Sequence, residues 1–220
     1  MNSMIELTKE NTTKEKEFLL FLNNEANYPL KRNTFKFLIV STSSNESTMR
    51  NFFGGILENM LVYICNNHYL FIFQNKDKLE LKNFIELINE DLGERTYVLE
   101  GFSISKDNKE YLMQTLKIVM EEYHLNKMYS STADLVLAIN DKREEISILK
   151  KAILDKYLND SEFIRLIETL FKNNLNVSKT AVDSYMHRNT INNKLSNFER
   201  DTNITIQNFK DAVAVYELLK

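Results

Sequence analysis

Hydrophobic residues come in short runs along the first part of the chain and recur at helical spacing along the last part. Phe35 to Val40 is an apolar run bounded by polar residues, the pattern of a buried strand. The Ser/Thr/Asn cluster Ser41 to Thr48 favours a turn and a helix N-cap. A helix from Met49 to about Leu57 follows, weakened by Gly54-Gly55. Met60 to Cys65 and His68 to Phe73 are β-rich runs separated by Asn66-Asn67. Asn tolerates the positive φ of a tight turn, so the pair predicts a hairpin. Leu81, Phe84, Ile85, Ile88 and Leu92 fall at helical spacing and predict a helix over 79–92, ended by Gly93. Tyr97 to Ile104 reads as a strand. Asn108 to Tyr123 reads as a long helix with Leu112, Leu116, Val119 and Met120 inside. Ahead of all these, a short helix over 14–22 sets Phe18, Leu19 and Leu22 on one side. The order β-α-β-β-α-β-α is most naturally buried as a sheet with helices on one face, an α+β domain.

Leu135 to Ile139 is ambiguous in period, and Asp141 to Leu158 reads as a helix with Ile146, Leu149, Ile153, Tyr157 and Leu158 as its stripe. From Ser161 on, the chain looks all-α. Phe163, Ile167, Leu170 and Phe171 make one apolar face of a helix that Asn173-Asn174 can end. Ser178 is a good N-cap for a second helix, Lys179 to about Tyr185, in which the small Ala181 permits close helix approach. Met186 can fill the core beneath the turn. His187-Arg188-Asn189-Thr190 opens a third helix with Ile191, Leu195 and Phe198 buried. Asn203 ends it, Ile204 and Ile206 pin the next loop, and Asn208 caps a last helix, Phe209 to Leu219, with Val213, Tyr216 and Leu219 inside. The expected organisation is an α/β sensor-like or dimerisation domain over 1–140, a helical connector over 141–160 and a helix-turn-helix domain over 161–220.

The chemistry sits on the exposed side of the third helix. Arg188 can donate two hydrogen bonds to guanine, and Asn192 or Asn193 can pair with an adenine edge. Thr190 and Lys194 suit phosphate oxygens. In such a motif the N-terminal residues of the second helix of the pair enter the major groove. The whole chain carries a net charge of -3, which excludes coating nucleic acid by bulk charge but leaves a local patch open. From Ser161 on there are eight basic and seven acidic residues, a thin balance for a DNA-binding domain.

Other chemistry finds little support. Cys65 is the only cysteine, so no intrachain disulfide can form and no Cys-based metal site is expected; within an apolar strand it reads as a small buried hydrophobe. The hairpin at Asn66-Asn67-His68 lacks the carboxylates that a nucleotide cyclase needs to hold metal ions. Gly54-Gly55 lacks the spacing and Lys of a phosphate loop, and no G-x-S-x-G elbow occurs. His68 and His124 are isolated in sequence. The expectation is a non-enzyme with no cofactor and no metal. Met1 to Glu17 is polar, without a secretory core, and no apolar run approaches the ~20 residues that span a bilayer. A cytoplasmic protein with no membrane partner is expected.

The stretch Asn176-Val177-Ser178, then Ala181, then His187-Arg188-Asn189-Thr190-Ile191 and Leu195, resembles the C-terminal helix-turn-helix of the PucR/CdaR-type bacterial transcription regulators. The half-motif around Arg188, Thr190 and Leu195 is also similar to the DNA-binding helix of Fis. The resemblance covers about Phe163 to Leu219. It implies a homodimer on double-stranded DNA, with Ser178, Lys179, His187, Arg188, Asn189, Thr190, Asn192, Asn193 and Lys194 as the DNA face. It also implies a degenerate GGDEF-like, ferredoxin-like sheet ahead of the helix-turn-helix, which an unknown small-molecule effector can address. The chain departs from the family pattern in four places: Ser184 replaces a core Leu, Leu175 replaces a Gly, Val182 is apolar where a polar residue is usual, partly compensating for Ser184, and Asn192-Asn193 stand where the family has an aromatic-basic pair, which weakens phosphate affinity. The alternative reading is a protein-interaction module whose helix-turn-helix no longer binds DNA.

Overall fold

The apolar run at residues 35–40 becomes the central strand of a sheet, and the last third of the chain is entirely helical. A computed structural model describes residues 4–76, 79–92 and 95–220, and the chain divides into two units, Met1–Ser131 and Thr132–Lys220. The expected helix end at Gly93 lies outside the described residues.

The first unit contains β1 (Ile5–Leu7), α1 (Thr13–Leu22), β2 (Thr34–Ser41), α2 (Glu46–Gly54), β3 (Leu61–Cys65), β4 (His68–Phe73), α3 (Leu81–Leu92), β5 (Tyr97–Glu100), β6 (Ile104–Ser105), α4 (Glu110–Glu122) and β7 (Tyr129–Ser130). The sheet runs β1-β3-β4-β2-β5-β7, with β6 pairing the start of β2. All pairs are antiparallel except β5 with β7. The β2-α2-β3-β4-α3-β5 segment therefore gives the strand order β3-β4-β2-β5, the split β-α-β arrangement that the pattern predicts. Asn66 and Asn67 turn the β3–β4 hairpin with φ of 47° and 64°.

Several expectations are corrected. Helices cover both faces of the sheet, not one. Met49, Phe53, Leu81, Ile85 and Ile88 from α2 and α3 pack on Leu38, Val40, Val62, Phe71 and Val98. Phe18 of α1 packs on the alternate residues, edge-on to Phe35 and against Tyr63. The reason is in β2: Phe37 to Val40 are four consecutive apolar residues, which, unlike an alternating pattern, need cover on two sides. The inner side of α1 is Glu15, Phe18 and Phe21, because the Glu15 carboxylate is buried (1% exposed) as a hydrogen-bonding hub. It accepts from the Val62 N–H at 2.7 Å, from Arg50 at 2.9 Å and from the Thr12 N–H at 2.6 Å. Asn45 caps α2 and starts it three residues before Met49. The strand expected over 97–104 is broken into β5 and β6. Between them Gly101 lies so close to the Phe37 ring that a Cβ would overlap it. Strands β1 and β7 were not foreseen, being too short to carry a period.

The second unit contains α5 (Thr132–Ala138), α6 (Arg143–Leu154), a 3-10 turn (Asp155–Asn159), α7 (Ser161–Lys172), α8 (Val177–Asp183), α9 (Arg188–Thr202) and α10 (Phe209–Leu219). The ambiguous 135–139 stretch falls in and just after α5, and the single helix expected over 141–158 is corrected to α6, which starts at Arg143 and ends at Leu154, followed by the 3-10 turn Asp155–Asn159. Tyr157, Phe163 and Phe198 form an aromatic cluster with centroids 4.7–5.2 Å apart. The α10 stripe is corrected. Ala212, Ala214, Val215 and Leu218 face inward, whereas Tyr216 is exposed and Val213 and Leu219 are half-buried. Small alanines let α10 approach α5 closely, which a search for large apolar residues does not register.

Candidate nucleic-acid interface

Helix α7 begins at an Asp160 cap, whose carboxylate accepts from the Phe163 N–H at 2.9 Å. It ends in two left-handed residues, Asn174 (φ 52°) and Leu175 (φ 63°). Leu175 occupies the position where the resembled regulators carry glycine, the residue that adopts this conformation without strain. Helix α8 starts two residues earlier than expected: Asn176, not Ser178, is its N-cap, and its side chain accepts from the Lys179 N–H at 3.0 Å. Asn and Ser are near-equal caps, so residue type alone does not choose between them. Ser178 and Lys179 are exposed in the first turn of α8.

Thr180 is the buried residue of α8 and bonds back to the Asn176 carbonyl at 2.9 Å. Ser184 donates to the Thr180 carbonyl at 2.6 Å, so its hydroxyl is satisfied although the bulk of a leucine is missing. Val182 does not compensate for that bulk: it is 73% exposed. Met186 is half-buried at the turn. Tyr185 holds a left-handed conformation there (φ 53°) and is 98% exposed. Asn176 belongs to the motif that carries the resemblance but was not read as the cap, and nothing in the residue pattern flagged Tyr185 as part of this surface.

His187 caps α9, its Nδ1 accepting from the Asn189 N–H at 3.2 Å. Ile191, Leu195 and Phe198 are buried beneath, as their spacing predicts. His187, Arg188, Asn189, Thr190, Asn192 and Asn193 are all exposed, grouped on the first turns of α9. Neither Arg188 nor Lys179 has an ion-pair partner among the described residues. Lys194 is different: it is half-buried and bound to Glu162 of α7 at 3.1 Å. Beside it Lys156, Asn197 and Arg200 border a cleft of about 290 Å³. Asp201 there holds Lys156 at 2.6 Å and accepts from the Tyr157 hydroxyl at 2.7 Å. Burial, and then that acceptor, push the Tyr157 hydroxyl pKa well up.

Two short-linked helices, α8 and α9, braced by α7, with a polar exposed start to the second, define a helix-turn-helix unit. Residues 163–220 match the PucR C-terminal helix-turn-helix domain, which supports a role in transcription regulation. Over 147 residues the chain is 22% identical to the uncharacterized protein YxkF of Bacillus subtilis (strain 168), covering 64% of this chain and 50% of that protein. The chain thus spans half the length of this relative. A solved structure of a regulator of polyketide synthase expression from Bifidobacterium adolescentis is similar over 94% of this chain and 90% of that one, at 13% identity and a TM-score of 0.40. Among the described residues, no helix is long and apolar enough to cross a membrane, and no three or more His, Cys, Asp or Glu side chains are grouped to hold a metal ion.

Proposed function

We propose that this protein is a sequence-specific, DNA-binding transcription regulator of the bacterial cytoplasm that acts as a homodimer and carries no catalytic site. The observation that carries the reading is the exposed start of α9, within a PucR-type helix-turn-helix, where Arg188 has no ion-pair partner among the described residues. Arg188, Asn192 and Asn193 then read base edges, and His187, Asn189 and Thr190 approach the groove wall. Ser178 and Lys179, at the start of α8, meet phosphate where backbone N–H groups and the helix dipole favour an anion. Lys194 joins them only by giving up Glu162. A dimer would present two α9 helices to half-sites about 34 Å apart.

The test is binding of the full chain to a duplex DNA library at two salt concentrations, beside Arg188→Ala. Selective binding is expected. Few unpaired cations face the DNA, so the log–log salt slope of a dimer should be shallow, about -2 to -4. Arg188→Ala should cost about 1–3 kcal/mol and relax one base position. A second reading, a protein-interaction module, is favoured by the exposed apolar side chains of Val182 and Tyr185. Absence of DNA binding at low salt by a confirmed dimer would transfer the assignment to it.

A further inference from the structure

Helix α9 runs on well past its exposed start, and its far end carries a second arginine. Asn189, Asn193, Ser196 and Arg200 fall at i, i+4, i+7 and i+11, so they form one row, on the side away from the buried Ile191, Leu195 and Phe198. All four are exposed. From Arg188 to Arg200 the helix rises about 18 Å, at about 1.5 Å per residue. That exceeds both the ~12 Å width and the ~8.5 Å depth of the major groove. A helix that enters by its first turn therefore has its last turn outside the groove, level with the sugar-phosphate backbone.

Arg200 borders the cleft of about 290 Å³ together with Lys156, Asp160, Lys194 and Asn197. The carboxylates around it are engaged elsewhere. Asp201 holds Lys156 at 2.6 Å and accepts from the Tyr157 hydroxyl at 2.7 Å, and it meets Arg200 only through Nε at 3.4 Å. Glu162 holds Lys194, and Asp160 caps α7 through the Phe163 N–H. Three cations thus face three carboxylates, and Arg200 has the weakest hold on any of them. Neither of its Nη groups has a partner among the described residues, and its side chain is 47% exposed. Two parallel N–H donors of that kind match the oxygens of a phosphate. The end of a helix carries negative partial charge, and Arg200 is the basic residue of the last turn of α9. A phosphate approaches that end over Arg200.

We propose that Arg200 is a second DNA anchor: its two Nη groups grip a backbone phosphate while the first turn of α9 reads bases, so that the helix is held at both ends. Lys156 stays on Asp201 and keeps that carboxylate neutralised. The proposal rests on the DNA-binding reading and adds to it a contact that fixes position without reading sequence.

The full chain, Arg200→Ala, Arg200→Lys and Arg188→Ala are each titrated with a ranked set of duplexes over a range of salt. Arg200→Ala should weaken binding to every duplex at least about fivefold and make the log–log salt slope of a dimer shallower by about 1.8, at 0.9 for each phosphate lost. The ranking of the duplexes should not change. Arg200→Lys, which keeps the charge, should keep the slope. If Arg200→Ala unfolds, Arg200→Gln is read instead, on duplexes with single methylphosphonate substitutions: a neutralised phosphate that weakens the wild type should leave this variant unaffected. Wild-type affinity and slope in Arg200→Ala, beside weakened binding by Arg188→Ala, would overturn the anchor and leave the DNA-binding reading standing. A changed ranking in Arg200→Ala would make the residue a base reader and overturn the anchor as well. No binding by the wild type at low salt would overturn both.

Discussion

Eight non-glycine residues among those described hold a positive φ, and six of them are asparagines: 24, 59, 66, 67, 174 and 203. The other two, Leu175 and Tyr185, flank α8. A side chain in that conformation costs about 1–2 kcal/mol, and Tyr185, almost wholly exposed, has no packing to offset it. Tyr185→Gly should therefore raise stability by about 1 kcal/mol in denaturant unfolding, and a loss would show that the ring is supported. The reverse holds at Gly101, where a methyl group would push into the buried Phe37 ring; Gly101→Ala should cost about 1–3 kcal/mol. Glu15 makes a pH prediction. Burial alone would raise its pKa, but Arg50 and the Thr12 and Val62 N–H groups hold it below the ordinary 4.5. Its ionised form is thus favoured by folding. The stabilisation is full above about pH 4.5 and is lost as pH falls through the lower folded value. Glu15→Gln should flatten that acid limb in a series of unfolding curves, and an unchanged limb would count against the hub.

At the scale of elements, legibility followed how much each period depends on large apolar side chains. The buried stripe of α9 and the Asn-Asn hairpin were readable because Ile191, Leu195 and Phe198, or two residues tolerant of positive φ, admit one local solution. The α10 face was not, because alanines form it while Val213 and Tyr216 sit towards solvent. Leu218→Ala should accordingly cost about 2–5 kcal/mol, and Tyr216→Ser less than about 0.5 kcal/mol, by denaturant midpoints. The start of α8 was misplaced for a chemical reason: Asn176 and Ser178 cap equally well, and only the backbone at Asn176, outside the helical region, decides. Asn176→Ala should lose about 1 kcal/mol and Ser178→Ala almost nothing in thermal unfolding. Of the candidate DNA face, its place on α9 was evident in the motif. The diversion of Lys194 to Glu162 was not, since the pair is separated along the chain and meets only in the fold.

For the whole molecule, the pattern changes from mixed to helical along the chain, but it does not show what completes each unit. The sheet gains edge strands of two and three residues that no periodicity could show. In the second unit α5 covers the inner side of α10, with Lys210 of α10 bonded to Asp134 of α5 at 2.9 Å. A fragment beginning at Thr132 should fold as a helical, cooperatively melting domain. One beginning at Ser161 would expose Ala212, Ala214, Val215 and Leu218 and should melt broadly or not at all, as circular dichroism would show.

The cap at the start of α9 also limits what that helix can recognise. A neutral imidazole that accepts through Nδ1 carries its proton on Nε2, so capping fixes the tautomer of His187. Its outward edge then offers one donor and no acceptor. Facing a major groove, such an edge can pair with a purine N7 or guanine O6 but not with the amino group of cytosine.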